Sequence, residues 1–134
     1  MSSVIDIEGV GEVYARKLQE AGITTSEELL QQGATPAGWK ELVQKTGIGD
    51  RLILKWVNRA DLFRVKGIGE QYSDLLAAAG VETVLELAQR RADHLHQKLV
   101  ETNQAKRLVR VVPGPEQVTD WVQQAHKLPR VVSY

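Results

Sequence analysis

The chain has 134 residues, which suits one compact domain or two small fused units. Seventeen basic and seventeen acidic residues cancel, so the overall balance argues against strong nonspecific affinity for polyanions, and any anion-binding face has to be local. There is no cysteine, which excludes disulfides, thiolate metal sites and cysteine nucleophiles, and no apolar run approaches the roughly 20 residues of a membrane helix.

The start, Met1-Ser2-Ser3-Val4-Ile5-Asp6, has no basic segment followed by an apolar stretch. No signal peptide is expected, and the expected location is cytoplasmic. Gly9-Val10-Gly11 then breaks the chain. Val13, Tyr14, Leu18 and Ala21 follow at the spacing of one helical face. Gly22 stands where a left-handed residue would end that helix. Thr25 with Glu28 forms a capping box that opens a short helix carrying Leu29 and Leu30. Thr35-Pro36 pairs an N-cap with Pro at the first helical position. Gly47-Ile48-Gly49-Asp50 turns into a helix of Leu52, Ile53, Trp56 and Val57. Gly67-Ile68-Gly69 restarts the pattern, Thr83 with Glu86 predicts a second capping box before Leu85 and Leu87, and Gly114-Pro115 opens a last helix of Val118, Trp121, Val122 and Ala125. No stretch alternates as a strand does, and the tail over 128–134 reads as extended and able to pack back on the body. The fold class is all-α.

The restart is an internal repeat. Residues 7–29 match 65–87 at a constant offset of 58, and ten of the 23 positions are identical, among them Gly9/Gly67, Gly11/Gly69, Tyr14/Tyr72 and Gly22/Gly80. Trp56-Val57 matches Trp121-Val122 at an offset of 65, so the second copy carries about seven extra residues, placed within 90–115. The two units are residues 1–61 and 62–134, the second holding an inserted basic segment and the extended tail. Charge divides unevenly between them. The first has 7 Lys/Arg and 9 Asp/Glu, or −2; the second has 10 and 8, or +2.

The repeated motif has physical demands of its own. Two glycines permit a tight turn between helices and close backbone approach. The apolar residue between them plugs a core, and Ala15 or Ser73 keeps neighbouring helices close. The second glycine leaves amide N–H groups free at the next helix N-terminus, where the helix dipole favours an anion.

Both segments resemble the helix-hairpin-helix motif of DNA polymerases, glycosylases and repair nucleases. The longer unit resembles the amino-terminal domain of strand-exchange recombinases, and the whole chain is similar to an uncharacterised bacterial family of tandem helix-hairpin-helix proteins. The resemblance implies two tandem helix-hairpin-helix (SAM-like) units packed as one compact helical domain. By motif position it implies phosphate-binding amides at Gly9, Gly11 and Val13 and at Gly67, Gly69 and Gln71. It also implies carbonyls able to hold a monovalent cation at Ile5, Ile7 and Val10 and at Phe63, Val65 and Ile68. Contacts of that kind position a backbone and read no bases.

Arg16 and Lys17 support such contact in the first unit. Their counterparts are Asp74 and Leu75, and only Lys66 stands beside the second turn. Glu12 and Glu70 follow the two turns directly and would repel phosphate. The remaining positive charge lies in 90–110, in Arg90, Arg91, Lys98, Lys106, Arg107 and Arg110, with Arg90, His94 and Lys98 expected on one helical face. The bland reading of that stretch is a solvated helix face. Trp56 and Trp121 read as core and Trp39 as the exposed tryptophan. No His, Asp or Glu set has metal-site spacing, and no catalytic motif is present. The expected function is non-enzymatic, sequence-independent binding of a DNA or RNA backbone, without cofactor or metal. The alternative is a protein-interaction or scaffolding module.

Overall fold

Glycine and threonine punctuate the chain into eight α-helices in the computed structural model, which describes residues 3–133. A short 3-10 turn, Val4–Asp6, precedes α1 (Glu12–Glu20), α2 (Ser26–Gly33), α3 (Pro36–Thr46) and α4 (Asp50–Leu62). Then come α5 (Glu70–Ala78), α6 (Val84–Ala88), α7 (Ala92–Lys106) and α8 (Pro115–Lys127). Among the described residues there is no strand, only an isolated bridge between Ser3 and Thr25. None of these helices is long and apolar enough to cross a membrane.

The chain divides into two compact units. One runs to Asp61 and takes in the tail from Val131; the other runs from Leu62 to Arg130. The tail joins the first unit through the Ser133 N–H, which donates to the Ala34 carbonyl at 2.9 Å.

The same local devices recur in each unit. Ala21 and Ala79 close α1 and α5, and Gly22 (φ +87°) and Gly80 (φ +94°) follow in the left-handed region. The next amides, of Ile23 and Val81, reach back to Leu18 and Leu76 at 2.9 and 2.8 Å, the six-residue bond of a Schellman motif. Both Ile23 and Val81 are fully buried. Thr25 caps α2 with Glu28 reciprocating, as the capping box requires. At α6 the box is one-sided: Thr83 accepts from the Glu86 N–H, but the Glu86 carboxylate takes the Glu82 amide and the Thr83 hydroxyl. Thr35 caps α3 with Pro36 at its first position.

Each core closes on a tryptophan. Trp56 on α4 and Trp121 on α8 are buried, and each meets the tyrosine of its own unit in a tilted ring contact. The centroid distances are 5.2 Å for Tyr14–Trp56 and 5.3 Å for Tyr72–Trp121. Losing such a side chain typically costs about 3–5 kcal/mol, a large share of the roughly 5–15 kcal/mol that holds a domain folded. Trp39, expected to be exposed, is half-buried with its indole nitrogen shielded, and Lys40 Nζ lies 5.7 Å from its ring centroid.

The extra residues of the second unit lengthen α7, 15 residues against 11 in α3. They also extend the link that follows, 107–114 where the first unit has 47–49.

Candidate nucleic-acid interface

Each glycine turn is a small rigid device. Val10 N–H donates to the Ile7 carbonyl at 3.0 Å, and Ile68 N–H to the Val65 carbonyl at 3.2 Å. Val10 and Ile68 are buried as the plugs between the glycines. Gly9 (φ +90°) and Gly67 (φ +98°) occupy the left-handed region where an L side chain is strained. They also lie against the tryptophans: a Cβ on Gly9 would sit 3.5 Å from Trp56 Nε1, and one on Gly67 only 2.9 Å from Trp121 Nε1. These two glycines therefore shape the turn.

Gly11 and Gly69 are different. They are the N-caps of α1 and α5, with extended backbones at φ −83° and −106° that any residue adopts. A Cβ on either would meet nothing within 4 Å. Neither helix start has a side-chain cap. The first intrahelical bonds are Ala15 N–H to Gly11 and Ser73 N–H to Gly69, both 2.9 Å. The amides before them, including Val13 and Gln71, have no carbonyl one turn back to satisfy them. Gly9, Gly11 and Val13 are exposed, as are Gly67, Gly69 and Gln71. Gly114 also starts a helix without a side-chain cap, but Pro115 follows it and supplies no N–H.

The surroundings of the two turns differ. Beside the first, Arg16 and Lys17 are exposed on α1, and Lys17 Nζ lies 5.9 Å from the Tyr14 ring centroid. Lys55 also lies there, its Nζ 3.9 Å from the position of a Gly9 Cβ. Lys55 was not legible as a turn cation, although it immediately precedes the repeated tryptophan that packs under the turn. In the second unit its register partner is Asp120, whose carboxylate accepts from Gln124 at 2.8 Å. Gln124 in turn grips Lys66, accepting from its N–H at 2.9 Å and donating to its carbonyl at 3.0 Å, so the second turn is latched to α8 while the Lys66 side chain stays exposed. Leu75, the counterpart of Lys17, is buried in the second core, so no cation fits there. Glu12 and Glu70 stand exposed in the first turns of their helices.

The basic stretch is not one face. Arg90 lies outside α7, whose N-cap is Arg91, and its Nη2 donates to the Gly80 carbonyl at 3.3 Å. The expected Arg90–His94–Lys98 stripe is thereby corrected: only His94 and Lys98 are on the helix, because the turn after α6 runs through residues 89–91. Arg91 is paired with Asp93 at 3.1 Å. The His94 backbone N–H first, and Arg91 as well, hold the Asp93 carboxyl below its ordinary range. Lys98, Lys106, Arg107 and Arg110 are exposed, the last three around the end of α7. Among the described residues, no three His, Asp or Glu side chains gather as a metal cluster would.

The sequence profile of an uncharacterised family, described as domain of unknown function DUF4332, matches residues 8–128. The chain belongs to this family. The match takes in both glycine turns of the DUF4332 domain, all three tryptophans and the basic link before α8. No curated protein and no solved structure matches the chain significantly.

Proposed function

We propose that this DUF4332 domain is a non-enzymatic nucleic-acid-binding module of two helix-hairpin-helix units, gripping the DNA backbone through the amides of its glycine turns. The observation that carries the reading is the pair of uncapped helix starts. In both units the turn is braced against a tryptophan, while the helix behind Gly11 or Gly69 starts without a side-chain cap at an exposed glycine where even an added Cβ would meet nothing within 4 Å. Threonine caps three other helices of the same chain, so the sequence uses capping freely and omits it here. Free amides at a helix start, backed by the dipole, bind one phosphate each and read no bases. Arg16, Lys17 and Lys55 supply counter-charge in the first unit, and Lys66 does so in the second. In this reading DNA is the partner, and a protein partner in its place is the outcome that would replace it.

The test is Gly11→Asp with Gly69→Asp. Both backbones accept a side chain, and aspartate is a preferred N-cap that would satisfy the same amides. The double variant is expected to melt slightly higher, by a few tenths of a kcal/mol per cap, and to lose most of its affinity for duplex DNA in low-salt anisotropy titrations. A variant that keeps its fold and binds DNA as the wild type does would overturn the proposal.

A further inference from the structure

The link between α7 and α8 is much longer than its counterpart 47–49 in the first unit, and it faces outward with an unusual composition. Val111 is 71% exposed and Leu108 39%, and Lys106, Arg107 and Arg110 are exposed around them. No acidic residue lies between Glu101 and Glu116. The link is nevertheless well held. The Asn103 side chain clamps Val109 at both ends, accepting from its N–H at 3.0 Å and donating to its carbonyl at 3.1 Å. Arg107 takes φ +50°, the sole positive φ outside glycine among the described residues. Strain and aliphatic exposure both cost stability, and side chains turned to water return none of it to the core. Such features gather where a surface meets a ligand.

Tyr72 indicates which ligand. Its hydroxyl donates to the Val111 carbonyl at 3.1 Å, and it lies three residues beyond Gly69 in α5. Its ring packs on Trp121, whose Nε1 faces Gly67. One side chain therefore ties the link to the second glycine turn. The link also supplies the cations that α5 lacks where Asp74 and buried Leu75 replace Arg16 and Lys17.

We propose that loop 106–111 makes a second contact to the same bound DNA: Lys106, Arg107 and Arg110 take phosphates, and Leu108 and Val111 wedge against an unstacked base step. The proposal rests on the reading that the glycine turns bind DNA. Apolar wedges enter a duplex by unstacking it, which is easiest where pairing is already interrupted. The loop thus gives the chain a preference for mismatched, gapped or branched DNA over intact duplex. Because the loop is already ordered, little conformational freedom is lost on binding.

The test compares labelled intact duplex with the same duplex carrying a three-base mismatch, using wild type, L108S/V111S and K106Q/R107Q/R110Q. All five residues are exposed, and circular dichroism checks the fold of each variant. Wild type is expected to bind the mismatched duplex about tenfold more tightly than the intact one. L108S/V111S should lose most of that preference while binding intact duplex as before, and the triple variant should weaken both complexes. Equal affinity of wild type for the two duplexes, or a preference untouched by L108S/V111S, overturns the wedge and leaves the glycine turns standing. No binding to any DNA overturns the turns and the wedge together. If L108S/V111S instead abolishes cosedimentation with phosphatidylserine vesicles and no DNA preference exists, the loop belongs to a lipid surface and the proposal fails.

Discussion

Glu12 and Glu70 act in opposite directions on stability and on binding. An acid in the first helical turn favours the dipole by roughly 0.3–1 kcal/mol. The same charge about 4 Å from a phosphate repels it by ~1 kcal/mol even in water. E12Q with E70Q is therefore expected to lower the melting temperature slightly and to tighten DNA binding by roughly fivefold for each charge removed. Anisotropy and thermal melts check the two effects separately, and an affinity that stays the same or falls would mean that no phosphate approaches these turns. At this scale the sequence was informative wherever the chemistry is local. Gly9 and Gly67, Thr25 and Thr35, and Tyr14 and Tyr72 announce their roles through spacing and recurrence. Arg90, Lys55 and Leu75 do not, because their roles depend on what another element brings close. Arg90 is claimed by the Gly80 carbonyl, Lys55 reaches the turn from α4, and Leu75 is drawn into the second core.

Three helix starts are closed by threonine and three are left open by glycine, while α7 starts from Arg91 without a side-chain cap. The start of α2 is the most heavily closed. The Thr24 hydroxyl first, then the backbone N–H groups of Thr24 and Thr25, hold the Glu28 carboxyl below its ordinary range. A carboxyl lowered in the folded state contributes fully above the titration of the unfolded glutamate, and that contribution is lost as pH falls through the folded-state value. Thermal melts from neutral pH to about pH 3 should therefore show a shallower acid limb for Glu28→Gln than for the wild type, from a lower starting point. Parallel curves would contradict the role given to the carboxylate. The α7–α8 link was legible only as an insertion of basic residues. Its fixed course depends on Asn103 and Tyr72, hydrogen bonds that no periodicity encodes.

The whole chain is electrically neutral, and its exposed cations are spread along it, with Arg16, Lys17, Lys55 and Lys66 beside the turns and Lys106, Arg107 and Arg110 around the end of α7. The duplication was the most legible large-scale feature, since ten identities at a constant offset survive in the same turns, caps and tyrosine–tryptophan contacts. The extended tail was legible but its partner was not, because Ser133 meets Ala34 from 99 positions away. Backbone binding by a few cations and two amide sites has a quantitative signature, counterion release. The most direct measurement is the affinity for a random-sequence duplex as a function of salt. A log–log slope on the order of −3 to −5 is predicted, unchanged when the sequence is scrambled and much shallower, with most of the affinity lost, in the Gly11→Asp, Gly69→Asp variant. No measurable binding at low salt, or binding indifferent to salt, would contradict the claim that these turns hold a phosphate backbone.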